Sequence, residues 1–256
     1  MIRRLTVSKV ISFEALRVAC KDCSLATLCL PMGLTSDDVE RLDSIVKRTR
    51  PLHRGDYVFR NSERFHSLYV VKTGSVKTYA PSPEGGEHVL GFHLPGELIG
   101  LDAIEKEVHV CSAKVLETSA ICKVPFSGLE ALSNRIPSLQ RQLYRLLSKE
   151  IGHDTEMLLL LGKKSAEERL AAFLLSISKR LRKRGLSPTD FYLSMSRYEI
   201  GNYLGLAVET VSRLFTRFQD DGLLKVDRKH IELRNPRALE AVLTRATASD
   251  RQQRMR

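Results

Sequence analysis

The sequence lacks any apolar run that approaches the roughly 18 residues needed for a membrane-spanning helix. Its N-terminus begins with basic residues, but Glu14 and Arg17 interrupt the apolar stretch that follows, which makes it a poor signal peptide. These two absences predict a cytoplasmic protein that does not associate with membranes. Cysteines stay reduced in the cytoplasm, so we expect the 5 cysteines to serve as ligands rather than as disulfides.

The motifs of common enzyme classes are also missing. The sequence has no glycine-rich loop for a nucleotide phosphate, no serine, histidine and aspartate in a triad-like context, and only 7 scattered histidines. We therefore expect no enzymatic activity. An iron–sulfur electron-transfer protein or redox enzyme remains an alternative, but it would leave the helix-turn-helix described below without a purpose.

A cluster of cysteines is the first positive signal. Cys20, Cys23 and Cys29 have the spacing C-x2-C-x5-C, and Cys122 lies far downstream. Thiolates suit iron–sulfur clusters or zinc. Zinc sites usually take their ligands as two close pairs, so a distant fourth cysteine favours a cluster with four thiolate ligands. Spacing alone leaves zinc open, and small buried cysteines are the structural alternative.

The net charge of +11 is unevenly distributed along the chain. Residues 163–256 contain 20 basic and 11 acidic side chains, a net +9, whereas residues 1–162 contain 21 and 19, a net +2. A basic C-terminal third is typical of a domain that binds a polyanion, although a basic surface can also be merely soluble.

Patterning predicts an α+β protein that begins with the cysteine-rich arm, residues 1–33. A capped amphipathic helix follows from Thr35 to about Arg50. Short β-branched and aromatic runs separated by glycines then predict an antiparallel β-roll, which completes a domain of residues 34–136. The runs are Tyr57–Phe59, Leu68–Lys72, Ser75–Tyr79, His88–Phe92, Ser112–Leu116 and Ala120–Val124.

Residues 137–162 have the pattern of one long helix that forms a dimer. Apolar side chains recur at alternating intervals of three and four residues, as in a two-stranded coiled coil. The members of this stripe, called the seam below, are Tyr144, Leu147, Ile151, Asp154, Leu158 and Leu161. Asp154 would face its own copy in a parallel homodimer, and the two like charges oppose pairing. Packing of this helix on the β-roll within one chain is the alternative.

Residues 163–244 are predicted to form a winged helix-turn-helix, followed by a polar tail, residues 245–256. Ser165–Glu168 is a capping box for a helix that ends at Gly185, and we interpret the cations at 179–184 as its solvated end. Ser196–Glu199 caps a second helix, which stops at Gly205 before another helix at 209–218.

The outer face of the helix at 209–218 carries the side chains that we expect to contact DNA. Glu209, Ser212 and Arg213 lie there, with Thr216 beside them. Arginine pairs with guanine, glutamate accepts from the amino group of cytosine, and serine is adaptable. Residues 223–227 and 230–233 would form the wing. An ordinary helical hairpin is the alternative, but the caps, the turn and the polar face together favour DNA binding.

The order of arm, β-roll, dimer helix and winged helix-turn-helix closely resembles the CRP/FNR superfamily. The segments that carry the resemblance are Phe92–Gly100, Ala166–Phe173 and Ile200–Arg213, together with the cysteine set. Within that superfamily the chain resembles the FNR branch of anaerobic regulators, including the ANR type, over residues 20–240.

This resemblance implies a function and a cofactor. It implies that Cys20, Cys23, Cys29 and Cys122 hold one oxygen-labile [4Fe–4S] cluster per subunit. It implies that the cluster-bearing form is a homodimer on palindromic TTGAT-type sites in double-stranded DNA. Such regulators activate, and at some promoters repress, genes of anaerobic metabolism. They recruit RNA polymerase through surface loops, here near Gly85 and Thr118.

One departure from the wider superfamily concerns the nucleotide ligand. Cyclic-AMP-binding members carry a glutamate and an arginine–serine pair at positions that are Leu101 and Cys111–Ser112 here. Without the carboxylate for the ribose and the cation for the phosphate, we expect no cyclic nucleotide ligand. We interpret Cys111 as a small buried residue.

Overall fold

The computed structural model describes residues 18–82 and 85–243. The sequence interpretations of the N-terminus before Val18, of Thr244 and of the tail concern residues outside these ranges. No helix within the described ranges is long and apolar enough to cross a membrane.

The order of elements agrees with the α+β prediction. Within the described ranges, the six α-helices are α1 Ser36–Ile45, α2 Phe126–Ser133, α3 Pro137–Lys163, α4 Ala166–Arg182, α5 Arg197–Leu204 and α6 Val208–Asp220. The first eight strands are β1 Lys47–Arg48, β2 Tyr57–Phe59, β3 Ser67–Thr73, β4 Val76–Pro81, β5 Glu87–His93, β6 Leu98–Ile99, β7 Ser112–Val115 and β8 Ala120–Pro125. The last three are β9 Asp190–Tyr192, β10 Leu224–Asp227 and β11 His230–Leu233.

Strands β1–β8 form the predicted β-roll from two four-stranded antiparallel sheets. Their strand orders are β1-β8-β3-β6 and β2-β7-β4-β5. Side chains alternate between the two faces of a strand, so each sheet contributes one apolar face to the interior. Val71, Val76 and Ile121 are fully enclosed there.

Helix α1 is shorter than the sequence suggested. It is capped by Thr35, whose side chain accepts from the Asp38 backbone, but it ends at Ile45 rather than near Arg50. Lys47 and Arg48 instead pair with β8, where Arg48 lies opposite Cys122. Pairing with an existing sheet edge thus ends the helix before its amphipathic pattern does.

Helix α3 is buried only near its N-terminal end. Leu139 and Gln142 are enclosed against the β-roll, with Leu143 and Leu146 packed beside them. Farther along the helix, Met157 and Leu160 pack against the core of the C-terminal domain. The helix therefore contacts both domains along one side.

The C-terminal domain contains both predicted capping boxes. Ser165 with Glu168 starts α4, and Ser196 with Glu199 starts α5, each with the reciprocal pair of hydrogen bonds. Strand β9 was not predicted, and it extends the wing to a three-stranded sheet of order β10-β11-β9. Its three residues are too few for a period-two pattern to stand out in the sequence.

The interpretation of the cations at 179–184 as a solvated helix end was wrong for two of them. Arg180 and Arg184 both bind the Glu97 carboxylate, which belongs to the β-roll. Helix α4 ends at Arg182, and Gly185 follows with a φ of 68°. Pairing between elements so distant in sequence leaves no local signal.

Candidate metal centre and nucleic-acid interface

The four predicted cysteine ligands line one pocket. Cys20, Cys23 and Cys29 come from the loop at residues 20–29, called the cysteine loop below, and Cys122 comes from β8. The pocket holds about 440 Å³ of empty space including its open mouth. The rest of its lining is apolar apart from one cation, and consists of Leu25, Ala26, Leu30, Pro31, Leu42, Val46, Val70, Lys72 and Val124.

Polar contacts hold the start of the cysteine loop in place. The Cys20 backbone N–H donates to Asp43 of α1 at 2.8 Å, and Asp43 also pairs with Arg48 of β1. The Val18 carbonyl accepts from Arg48 at 3.3 Å and from Lys72 at 3.2 Å. The loop is thereby attached both to α1 and to the sheet that carries Cys122.

Burial shifts the titration of these thiols. It raises the pKa of Cys29 to about 12 and raises that of Cys20 as well. Burial also raises the pKa of Cys122, although the positive charges of Lys72 and Arg48 act in the opposite direction. Because the thiolate is the ligand form, binding a metal here must release protons.

The cysteines that line this pocket are soft donors. Among the described residues, no three His, Cys, Asp or Glu side chains converge closely enough to hold one metal ion. The four cysteines line a mainly apolar cavity, and thiolates are the donors that iron–sulfur clusters and zinc both take. Lys72 and Arg48 supply positive charge that would offset four thiolates.

A buried glutamine connects the cysteine loop to the long helix. Gln142 of α3 donates to the Cys29 carbonyl at 3.2 Å, and the side-chain oxygen of Gln142 has no hydrogen-bond partner among the residues that the structure describes. Leu30 packs in the same core as Leu139 of α3. Nothing in the sequence marked Gln142, because a polar residue near a helix start is ordinarily solvent-exposed.

The seam of α3 faces solvent in the single chain. Tyr144, Ile151 and Leu158 are exposed, as is Asp154, and Leu147 and Leu161 are half-buried. Exposure of three large apolar side chains along one helix is costly in water and typical of an interaction surface. These three side chains therefore do not pack on the β-roll within the chain, which was the alternative.

Helices α5 and α6 form the helix-turn-helix. A Cβ atom on Gly201 would lie 2.6 Å from the Leu206 carbonyl, so only glycine permits this tight turn. Gly205 ends α5 in the left-handed conformation, with a φ of 63°. Val211, Phe215 and Phe218 are buried on the inner face of α6.

The opposite face of α6 is open to solvent. Glu209, Ser212, Arg213 and Thr216 are all exposed there. The Ser212 hydroxyl donates to the Val208 carbonyl at 2.9 Å, a bond within the helix. These side chains therefore form a polar surface on the helix that would enter the major groove.

Cys111 and Ser112 lie in the interior of the β-roll. Cys111 is buried, with 3% of its surface exposed, as the sequence suggested. His109 is also buried and stacks on Phe59 with ring centroids 3.7 Å apart. The Ser112 hydroxyl accepts from the Asn61 backbone at 2.9 Å.

Comparison with known proteins agrees with this architecture. The chain matches the family of the Crp-like helix-turn-helix domain over residues 168–242 and that of the cyclic nucleotide-binding domain over residues 49–135. Among solved structures, FixK2 from Bradyrhizobium japonicum is similar with a TM-score of 0.71 and 31% identity, covering 77% of this chain and 97% of FixK2.

Two relatives are similar over most of their length. The transcriptional activator protein Anr of Pseudomonas aeruginosa is 51% identical over 228 residues, which is 89% of this chain and 93% of Anr. The fumarate and nitrate reduction regulatory protein of Escherichia coli K12 is 46% identical over 222 residues, 87% of this chain and 89% of that protein. The chain therefore belongs to the FNR-type branch of the CRP/FNR family, whose members are DNA-binding transcription regulators and not enzymes.

Proposed function

We propose that this protein is an oxygen-sensing global transcription regulator of the cytoplasm. Cys20, Cys23, Cys29 and Cys122 would hold one [4Fe–4S] cluster per subunit, as the resemblance to FNR-type regulators implies. The observation that carries the proposal is that all four of these cysteines line one pocket. The proposal extends to activation of anaerobic metabolism genes, to repression at some promoters, and to contacts with RNA polymerase near Gly85 and Thr118.

The chain's own contacts explain how the pocket can control subunit association. When bound, the cluster supplies an oxygen-labile connection between the cysteine loop and β8. Metal binding contributes folding free energy to its ligands, on the order of several kcal/mol or more. An ordered loop places the Cys29 carbonyl on Gln142 and Leu30 beside Leu139, which steadies the first turns of α3.

The steadied helix α3 then presents its seam to a second subunit. Repulsion between the two copies of Asp154 opposes this pairing, so the monomer and the dimer differ by only a few kcal/mol. A dimer carries two copies of α6, which read the two halves of a palindromic TTGAT-type site. A monomer reads one half, and its affinity for the operator falls.

We also propose the division of the chain that follows from these roles. Residues 1–33 are the cluster-binding arm, 34–136 the sensory β-roll and 137–162 the dimerisation helix. Residues 163–244 are the DNA-binding domain and 245–256 a polar tail.

Purification without oxygen tests the proposal. We expect brown protein with about four iron and four acid-labile sulfide per chain, the content that defines this cluster. Exposure to air should bleach the colour and lower operator affinity. Colourless protein that contains zinc would contradict the oxygen sensor and leave a zinc-containing DNA-binding regulator.

Asp154→Ala is expected to increase dimerisation in air. The substitution removes one carboxylate from each side of the seam and therefore the repulsion between the two copies. Sedimentation of air-exposed protein should show a larger dimer fraction than wild type at the same concentration. Glu156→Ala, on the same helix but outside the seam, is the control. Equal monomer fractions for wild type and Asp154→Ala would show that the repulsion does not control association.

Arg213→Ala is expected to relax specificity at one base pair. An arginine that pairs with guanine contributes roughly 1–3 kcal/mol of discrimination against the wrong base. The measurement uses a set of operators, each changed at one base pair. The variant should lose its preference for the original base at one guanine and keep it at every other position. Arg217→Ala is the control, because Arg217 of the same helix pairs with Glu167 at 3.2 Å. An equal loss for every operator would identify Arg213 as a phosphate contact instead.

A further inference from the structure

One short turn of the β-roll contacts both the cysteine loop and the DNA-binding domain. It consists of residues 94–97, called the 94–97 turn below, and connects β5 to β6. On the side of the cysteine loop, Gly96 has a φ of 88° and packs closely against Leu25 and Leu28. A Cβ atom on Gly96 would lie 3.1 Å from the Leu28 Cβ, so the two segments are in direct contact.

On the side of the DNA-binding domain, the turn presents a shielded carboxylate. Glu97 accepts from Arg180 at 3.0 Å and from Arg184 at 2.7 Å, and it also accepts from the Leu94 backbone at 3.0 Å. The Arg184 side chain further donates to the Pro95 carbonyl at 2.6 Å. Only 15% of the Glu97 side chain and 6% of the Arg184 side chain are exposed.

The turn is also attached to the sheet that carries the fourth cysteine. The Gly96 N–H donates to the Val71 carbonyl at 2.7 Å, and the Val71 N–H donates to the Glu97 carbonyl at 3.0 Å. On the same strand β3, Val70 lies opposite Cys122 of β8. Movement of the cysteine loop relative to this sheet therefore acts directly on the Gly96 contact.

Displacement of the turn has a large energetic consequence at its other side. Glu97, Arg180 and Arg184 are mostly withdrawn from water, so separating them would leave partly buried charges without partners, which is strongly destabilising. A guanidinium binds a carboxylate well only over a narrow range of geometry. Helix α4 must therefore follow the turn, or the ion pairs must break.

We infer that Glu97 is a positioning residue that transmits the state of the cysteine loop to the DNA-binding domain within a single subunit. This inference rests on the proposed function, in which cluster binding orders that loop. It adds a second route beside dimerisation, because the placement of α4 determines where α5 and α6 lie. Arg180 and Arg184 are the groups through which Glu97 acts.

A double-mutant cycle tests the inference in full-length protein isolated without oxygen. Every protein carries Ile151→Glu, so that subunit association does not contribute. Leu28→Gly removes the Cβ atom that contacts Gly96, and Glu97→Gln removes the charge that holds the arginines. The measurement is the hydrogen–deuterium exchange rate of the backbone amides at residues 178–184.

We expect each single substitution to accelerate exchange of these amides, about fivefold or more for Leu28→Gly and at least as much for Glu97→Gln. Adding Leu28→Gly to Glu97→Gln should produce no further acceleration, because the connection is already broken. No acceleration by Leu28→Gly, or accelerations that multiply in the double variant, would overturn the inference. A role of Glu97 in stability alone predicts the multiplied result.

Matched controls separate the inference from general loosening and from the proposed function. Met32→Gly removes an exposed apolar side chain after the cysteine loop, and Glu130→Gln removes a surface carboxylate of α2; neither should alter these amides. If Glu97→Gln does not fold, Arg180→Gln replaces it in the cycle with the same expected outcome. Absence of iron and sulfide from the wild type would contradict the proposed function, whereas the cycle would still measure the coupling.

Discussion

Replacing Cys122 by serine is expected to abolish cluster binding and, with it, tight binding to the operator. Serine is nearly the same size, so β8 should keep its pairing with β3 and β1, but its hydroxyl is a poor ligand for a soft metal centre. Cys122 is the only one of the four predicted ligands outside the cysteine loop. Its loss would remove the connection that the proposed cluster makes between loop and sheet.

The expected magnitude is large because several effects add. We expect iron and sulfide in the isolated variant to fall more than about tenfold, since four-thiolate ligation is the rule for such clusters. Loss of the metal's contribution to folding, several kcal/mol, should shift the subunits to monomers. Anaerobic operator affinity should then fall at least about 100-fold, which corresponds to about 3 kcal/mol.

Cys111→Ser is the matched control for this prediction. Cys111 is also a cysteine of the β-roll, but it is buried in the interior and does not line the pocket. The control should retain the cluster and bind the operator, with at most a modest loss of stability. A Cys122→Ser protein that keeps its iron and sulfide, or that stays dimeric and bound to the operator, would remove the basis of the proposed sensor.

Ile151→Glu is expected to separate the subunits while leaving the cluster in place. Ile151 lies in the middle of the seam with 67% of its surface exposed in the single chain. A glutamate there would bring two more negative charges together next to the two copies of Asp154. Dimer association should weaken at least about 100-fold, or about 3 kcal/mol, and operator affinity should fall in parallel.

Sedimentation, iron content and operator binding together decide this second prediction. Leu159→Glu introduces the same charge eight residues farther along the same helix, at a position that is 55% exposed but outside the seam. This control should dimerise normally. If Ile151→Glu still forms dimers at wild-type concentrations, then the subunits associate through a different surface.

Local patterns in the sequence account for most of the elements. The capping boxes at Ser165 and Ser196 were predicted and are present, because a cap depends on side chains within one helical turn. The same holds for the turn at Gly205 and for the burial of Cys111. The strand runs were also recognisable, since alternation and glycine punctuation are local properties.

The features that the sequence predicted wrongly or did not predict all depend on contacts between distant segments. Helix α1 ends early because Lys47 and Arg48 pair with β8, more than seventy residues away. Arg180 looked like part of a solvated helix end, although its partner Glu97 lies in another domain. The cysteine spacing predicted the candidate ligands. It did not predict the residues that bind the cysteine loop, which are Asp43, Arg48, Lys72 and Gln142.

By itself, the sequence determined the chemical identity of the thiols, the order of the domains and the polar face of α6, because these follow from residue type and short-range spacing. Tertiary structure decided that β8 carries Cys122 to the cysteine loop, that Gln142 joins this loop to α3, and that Glu97 joins the β-roll to α4. These contacts lie between residues tens to over a hundred positions apart. Their free energy depends on burial and on the relative position of whole elements, which no local pattern records.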